Sequence, residues 1–353
     1  MASLKELLKL LAEDGAALTR EQAAEVLEQI LSGGVPEVLT AALLAVLATR
    51  GEQAPELAGF VETMRARATP VPLTDAERDQ LVDVVGTGGG GPATFNISTG
   101  AALVAAAAGA KVAKHGNRAM TSLCGSADVL EALDVPMSLG PELAAECLRE
   151  TGFMFLLAPL YHPAMRAVGP LRKALGFRTI FNLCGPLTNP AGARSQVIGV
   201  LAPSRVLLVA RTLAALGAKR AFVVHGTDGM DELTTTGESV VARVEELEGG
   251  GTPALKGARV TPEMAGLPRA ALENLTGGNA EANAAILYDV VTGIKGPRRE
   301  IVLLNAAAAL VAAGLAGDLK DGVTRAGEAI DSGEAAATLA KLRAFGAKHG
   351  GRT

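Results

Sequence analysis

The stretch DVVGTGGGGPATFNISTG, Asp83–Gly100, sets five glycines among six residues directly after a short apolar run. A strand, a glycine turn and a helix start, in that order, present free backbone N–H groups at one edge of a sheet, which favours an anion. Gly86, Gly88 and Gly91 also satisfy a GxGxxG spacing. A dinucleotide fingerprint needs, in addition, an acid about 20 residues on to hold a ribose hydroxyl. Residues 84–127 contain no Asp or Glu at all. No Gly-Lys-Ser/Thr comes after the glycines, so a Walker loop is excluded too. The chain continues instead into a polar helix start, NIST at 96–99, and a second polar and basic loop, KHGNRAMTS at 114–122. Two successive strand ends bring both loops to the same edge of a parallel sheet, where such folds bind ligands. Amides, hydroxyls and a lysine converging there suit a phosphate or diphosphate.

Outward from this stretch, short apolar runs at 82–85, 111–114, 153–158, 196–201 and 220–224 read as strands, with Ala-rich helical segments between them. That alternation predicts a mostly parallel sheet with crossover helices. Residues 233–260 read as short β-segments and turns, and 280–347 as three or four helices. The first seventy residues carry no strand signal and read as four helices. Ser3 caps the first, and Thr19 with Gln22 forms a capping box for the second. Gly33 and Gly34 stop the second, Pro36 suits the first turn of the third, and Gly51 and Pro70 bracket the fourth. The expected fold class is α/β: a small N-terminal helical domain and a larger α/β domain.

Composition narrows the function. Of 353 residues, 49% are hydrophobic and 20% charged, and the net charge of −4 argues against a surface built for nucleic acid. Three widely spaced cysteines, Cys124, Cys147 and Cys184, fit reduced thiols better than a disulfide framework. Four histidines without ligand spacing make a zinc site unexpected. The start, MASLKELLKLLAEDG, has an amphipathic pattern rather than that of a signal peptide, and the longest apolar run, AALVAAAAGA at 101–110, is about half a membrane span. A cytoplasmic protein with no membrane partner is expected.

One acidic turn stands out, HGTDGMDELTTTG at 225–237, with Asp228, Asp231 and Glu232 after an apolar strand. Adjacent carboxylates at a strand end can hold Mg²⁺ beside substrate phosphates. The alternative is a solvated turn. Common phosphoribosyltransferases carry two adjacent acids directly after a strand, whereas HGTDGM intervenes here.

Taken together, GTGGGG at 86–91, NIST at 96–99, KHGNR at 114–118, GSADVLEALD at 125–134 and FNLCGPLTNPA at 181–191 resemble, in order and approximate spacing, the patterns of the anthranilate phosphoribosyltransferase family. The resemblance implies a helical domain at 1–75, joined by a segment around 164–190, an α/β domain at 76–353, and a homodimer formed through the helical domain. It implies transfer of the phosphoribosyl group of 5-phosphoribosyl 1-diphosphate to the amine of anthranilate in tryptophan biosynthesis. By the same resemblance, Gly86, Gly89, Gly90, Thr94, Asn96, Ile97, Ser98 and Thr99 hold the donor. With them go Lys114, His115, Gly116, Asn117, Arg118, Ala119, Met120, Thr121, Ser122 and Ser126. Gly86, Asn117, Arg172 and His162 border anthranilate, with His115 near the acceptor channel. Ser98, Asp231 and Glu232 bind Mg²⁺. No catalytic base or nucleophile is implied. Arg172 suits a two-pronged pair with the substrate carboxylate.

Two positions depart from the family pattern. Gly90 stands where an Asp is usual, and Asp134 where a Gly is usual, at an expected helix end. Two rival readings remain. A pyrimidine nucleoside phosphorylase-like enzyme would carry a Lys-x-Ser-x-x-Arg base loop, which is absent. A non-catalytic nucleic-acid-binding relative would be strongly basic, and this chain is acidic.

Overall fold

The computed structural model describes residues 3–88, 91–119, 122–247, 251 and 253–350. The chain opens with four helices, α1 (Leu4–Glu13), α2 (Arg20–Leu31), α3 (Glu37–Arg50) and α4 (Ala54–Ala66). Ser3 and Thr19 cap the first two, each in a reciprocal box with Glu6 or Gln22. Pro36 lies at the cap of α3 and just before its first helical residue, because its fixed φ suits the entry angle while it lacks an N–H to donate. Helices α2 and α4 cross at Gly59. A Cβ there would lie 2.2 Å from the Arg20 carbonyl oxygen and 2.8 Å from the Ala24 nitrogen. Gly59→Ala gains about 1 kcal/mol of helix propensity but forces backbone atoms apart, at a cost of roughly 2–4 kcal/mol. A lower thermal midpoint is expected; an unchanged or raised one would show that the helices separate freely.

Short α5 (Asp75–Asp79) leads into β1 (Leu81–Gly86), followed by α6 (Ile97–Ala107) and β2 (Lys111–Gly116). Next come α7 (Ser126–Ala132), α8 (Pro141–Thr151), β3 (Phe153–Leu157), α9 (Ala158–Tyr161), α10 (Gly169–Leu175) and α11 (Ile180–Leu187). Then β4 (Ser195–Gly199), α12 (Pro203–Ala215), β5 (Arg220–Gly226), β6 (Ser239–Glu245) and β7 (Ala254–Val260) complete the sheet. Four helices close the chain: α13 (Ala280–Val291), α14 (Pro297–Ala313), α15 (Leu319–Asp331) and α16 (Glu334–Lys348). Asp134, just beyond α7, has the left-handed φ of 57° that a glycine would adopt without strain.

The sheet has seven strands in the order β3-β2-β1-β4-β5-β6-β7. Strands β1 to β5 are parallel, and β5-β6-β7 turn antiparallel. Strand order reverses between β1 and β4, the switch point where the carboxyl ends of such sheets form a crevice. Alternation along the strands divides the core. Val197, Phe222 and Val224 pack with α6 and α14 on one face, whereas Ile198, Ala221 and Val223 pack with α12 on the other. This second cluster runs on without a break into Leu43, Leu57 and Phe60 of the helical bundle and Phe181 and Leu187 of α11. An ion pair between Glu52 and Arg205, and an Arg20 hydrogen bond to the Ala215 carbonyl at 3.1 Å, fasten the bundle to α12. No helix among the described residues is long and apolar enough to cross a membrane.

Candidate active site

The switch point is built from two glycines. Gly86 ends β1, Gly199 ends β4, and the two are paired in register. Asp231 rests on both: a Cβ on Gly86 would lie 2.3 Å from its Oδ2, and one on Gly199 would lie 1.4 Å from its carbonyl oxygen. The turn carrying it is fixed from within. Asp228 accepts hydrogen bonds from the hydroxyls of Thr234 and Thr236 and from the Met230 amide. Asn305 of α14 holds both the N–H and the C=O of Leu233, at 3.0 and 2.8 Å. Asp228 therefore shapes the turn, while Asp231 is left to rest on the two glycines and to accept from the Gly88 amide.

Both acids belong to partly exposed residues, but their carboxyl ends are desolvated. Burial raises the pKa of Asp231 from its ordinary value, against the pull of the Gly88 amide, which donates to Oδ2 at 3.0 Å. Burial and the adjacent Asp231 raise Glu232 well above its own ordinary value, with Lys114 opposing. Two hard oxygen ligands that repel each other are a donor set suited to a divalent cation. No group of three His, Cys, Asp or Glu is gathered among the described residues, so the remaining ligands would come from substrate, hydroxyl and water.

Lys114, on β2 and 2% exposed, donates to the Val84 carbonyl at 2.6 Å and to Ser98 Oγ at 3.4 Å. Burial pushes its pKa down to about 8, while Asp83, Glu232 and Asp231 work in the opposite direction. Asn96 stands at the cap of α6 without capping it. Its side chain donates to the Cys124 carbonyl at 3.3 Å and accepts from Asn283 at 2.9 Å. Ile97 and Thr99 are buried within α6, and the hydroxyls of Thr99 and Thr87 have no partner among the described residues. Thr94 bridges to Thr276.

On the second loop, Gly116 and Asn117 are braced by Ser126, whose hydroxyl donates to the Asn117 carbonyl at 3.3 Å. Asp128 accepts from the amides of Ala119 and Gly125 at 2.8 and 2.9 Å. Arg118 is committed to Asp128 and Glu131, which hold it above its ordinary pKa. Ser122 donates to the Cys124 carbonyl at 3.4 Å. Gly89, Gly90, Met120 and Thr121 lie outside the described residues.

Of the residues expected at the acceptor, His115 and His162 meet at the end of β2. The rings of His115 and His162 are 5.1 Å apart, and the Nε2 atom of each lacks a partner among the described residues. Burial disfavours the charged form of both, driving His115 down to about 3. Arg172, in the last turn of α10, is half-buried with its guanidinium 5.3 Å from the centre of the Phe181 ring. Among the described residues no hydrogen bond or ion pair joins Arg172 to the donor-side loops.

Two features escaped the sequence reading. Asp83, wholly buried inside β1, accepts from Asn189 at 2.8 Å and from the His115 amide at 3.3 Å, and burial raises its pKa to about 6. A lone acid within the apolar run LVDVVG was the signal, since such a charge needs a buried partner. Arg178, just before α11, donates to the Gly88 carbonyl at 3.3 Å.

Comparison with known proteins agrees with this geometry. Residues 5–68 match the helical bundle domain of a glycosyl transferase family, and residues 78–336 match its a/b domain. The chain is 48% identical to the anthranilate phosphoribosyltransferase of Methylorubrum extorquens strain PA1, over 93% of this chain and 94% of the relative. It is also 48% identical to that of Moorella thermoacetica, over 94% and 95%. The crystal structure of the Thermus thermophilus enzyme superposes with a TM-score of 0.87 at 45% identity, covering 98% of this chain and 99% of that one. The Saccharomyces cerevisiae enzyme in complex with PRPP and Mg gives 0.86 at 28% identity, covering 98% of each.

Proposed function

The chain belongs to the anthranilate phosphoribosyltransferase family, and we propose on that premise how its residues divide the transfer of a phosphoribosyl group from 5-phosphoribosyl 1-diphosphate to the anthranilate amine. The observation that carries the division is the acidic turn seated on Gly86 and Gly199 at the switch point, with Lys114 beside it. Donor contacts are assigned to Gly86, Ser98 and Thr99, to Lys114 and to the backbone of the 114–122 loop, with Asn96 and Ser126 shaping the two loops. Asp231, Glu232 and Ser98 are assigned to Mg²⁺, which when bound would draw charge from the leaving diphosphate. Arg118, already paired with two acids, is given the role of stiffening its loop rather than meeting phosphate.

The acceptor is assigned to Arg172, Asn117 and the walls formed by His115 and His162. Transfer breaks the bond between the ribose carbon and diphosphate and forms one to the amine nitrogen, whose surplus proton passes to the departing diphosphate or to water. Positioning and stabilisation of leaving-group charge supply the acceleration, so no base or nucleophile is required. We further assign residues 1–75 and the 164–190 segment, whose apolar residues share one cluster, to the helical domain, and the rest of 76–353 to the α/β domain. A homodimer is proposed through the bundle, where Val38 and Leu10 are exposed.

The test is loss of anthranilate fluorescence on adding phosphoribosyl diphosphate and Mg²⁺. Arg172→Ala should raise the anthranilate KM about 10- to 150-fold, the equivalent of roughly 1.5–3 kcal/mol for a charged hydrogen bond, with the donor KM nearly unchanged. Equal loss toward both substrates would undo the assignment.

A further inference from the structure

The segment that carries Arg172 also reaches the donor turn, through Arg178. This residue lies between α10 and α11, next to Thr179, whose amide is held by Asn182 at 3.0 Å. Its guanidinium donates to the Gly88 carbonyl at 3.3 Å, while the Gly88 N–H donates to Asp231 Oδ2 at 3.0 Å. Gly88 of the glycine turn is thereby gripped from both sides, by a cation through its oxygen and an acid through its nitrogen. The charge of Arg178 also acts on Asp231 itself, favouring the carboxylate against its desolvation. Lys114 does the same for Glu232.

We propose that Arg178 is a positioning residue of the donor side: in the metal-free chain its guanidinium stands in for a divalent cation at the acidic turn, fastens Gly88 across the sheet edge, and yields that place when metal arrives. The inference rests on the assignment of Asp231 and Glu232 as metal ligands. A guanidinium cannot shed its charge, so held at Gly88 its field on Asp231 opposes the approach of a second cation. Such a residue links loading of the donor side to movement of the segment that bears the acceptor's Arg172.

The test is binding of Mn²⁺ alone to the full chain, read from the paramagnetic resonance of free Mn²⁺, in the parent and in Arg178→Gln, Arg178→Lys and Asp231→Asn. Removing the competing charge should tighten Mn²⁺ binding about 3- to 10-fold in Arg178→Gln. Arg178→Lys should fall between, because it keeps the charge but not the planar fork. Hydrogen exchange in peptides covering 81–88 should quicken several-fold in metal-free Arg178→Gln. Unchanged or weaker Mn²⁺ binding in Arg178→Gln, with binding still abolished by Asp231→Asn, overturns this role and leaves the metal site standing. Mn²⁺ binding that is absent, or indifferent to Asp231→Asn, overturns the metal assignment and this inference with it.

Discussion

Replacing Asp231 with Asn and Glu232 with Gln together is expected to lower kcat/KM for phosphoribosyl diphosphate about 1000-fold, the scale on which removal of preorganised charge stabilisation is felt. The same change should raise the thermal midpoint of the metal-free protein by about 1–3 °C, since roughly 1–2 kcal/mol is spread over a large unfolding entropy. The two effects share one cause. Desolvation and mutual repulsion make the ionised pair costly in the empty fold, Glu232 above all. The native chain therefore keeps protons here that the unfolded chain releases near pH 4, so the pair destabilises the fold increasingly as pH rises from about 4 through its raised native value. The amides remove that penalty, and Asn at 231 still accepts from the Gly88 N–H. Donor kinetics and scanning calorimetry with and without Mg²⁺ check both halves. Parental donor kinetics would reduce the acidic turn to a shaped piece of surface. A lower midpoint would mean that the carboxylates serve the fold itself.

How much of this was legible in the sequence depends on the range of the forces involved. The strand starting after Gln80 and the four leading helices are set by neighbours in sequence, through alternation and capping, and the sequence reading finds them. The common edge for the two donor loops comes from β1 and β2 being adjacent and parallel. What local signals could not give is pairing at a distance. Asn189 meets Asp83 from 106 positions away, and Arg178 meets Gly88 from 90. The resemblance counts Arg118 among the donor residues, and only the fold shows its ion pairs with Asp128 and Glu131. Asp134 illustrates the opposite case. A helix end was evident, and its left-handed backbone explains why relatives would favour glycine there.

Gly199→Ala is expected to cost nearly as much as removing the carboxylates, though it alters no chemical group of the site. The φ of Gly199 is not among the positive values of this chain, so its glycine serves space rather than conformation. The missing space is severe: the new Cβ would lie 1.4 Å from the Asp231 carbonyl oxygen. No rotamer relieves a clash with backbone. The turn is also anchored behind by Asn305 and within by Asp228, so it must lift as a unit. A displacement of about 1 Å of a catalytic group costs on the order of 100-fold, and both carboxylates proposed to hold Mg²⁺ move here. We therefore expect a roughly 100- to 1000-fold fall in kcat/KM for the donor, a higher Mg²⁺ requirement, and an anthranilate KM within about threefold of the parent. Overpacking should also lower stability by roughly 2–4 kcal/mol. Gly86→Ala is the internal comparison. Its Cβ would meet the Asp231 carboxylate end at 2.3 Å, and a side chain yields where a main chain cannot. Its loss in donor kcat/KM should stay near about tenfold, with the Mg²⁺ requirement again raised. If Gly86→Ala proves the more damaging of the two, the carboxylate orientation matters more than the seat of the turn. Parental kinetics in Gly199→Ala would show that the paired glycines do not set the proposed metal ligands at all.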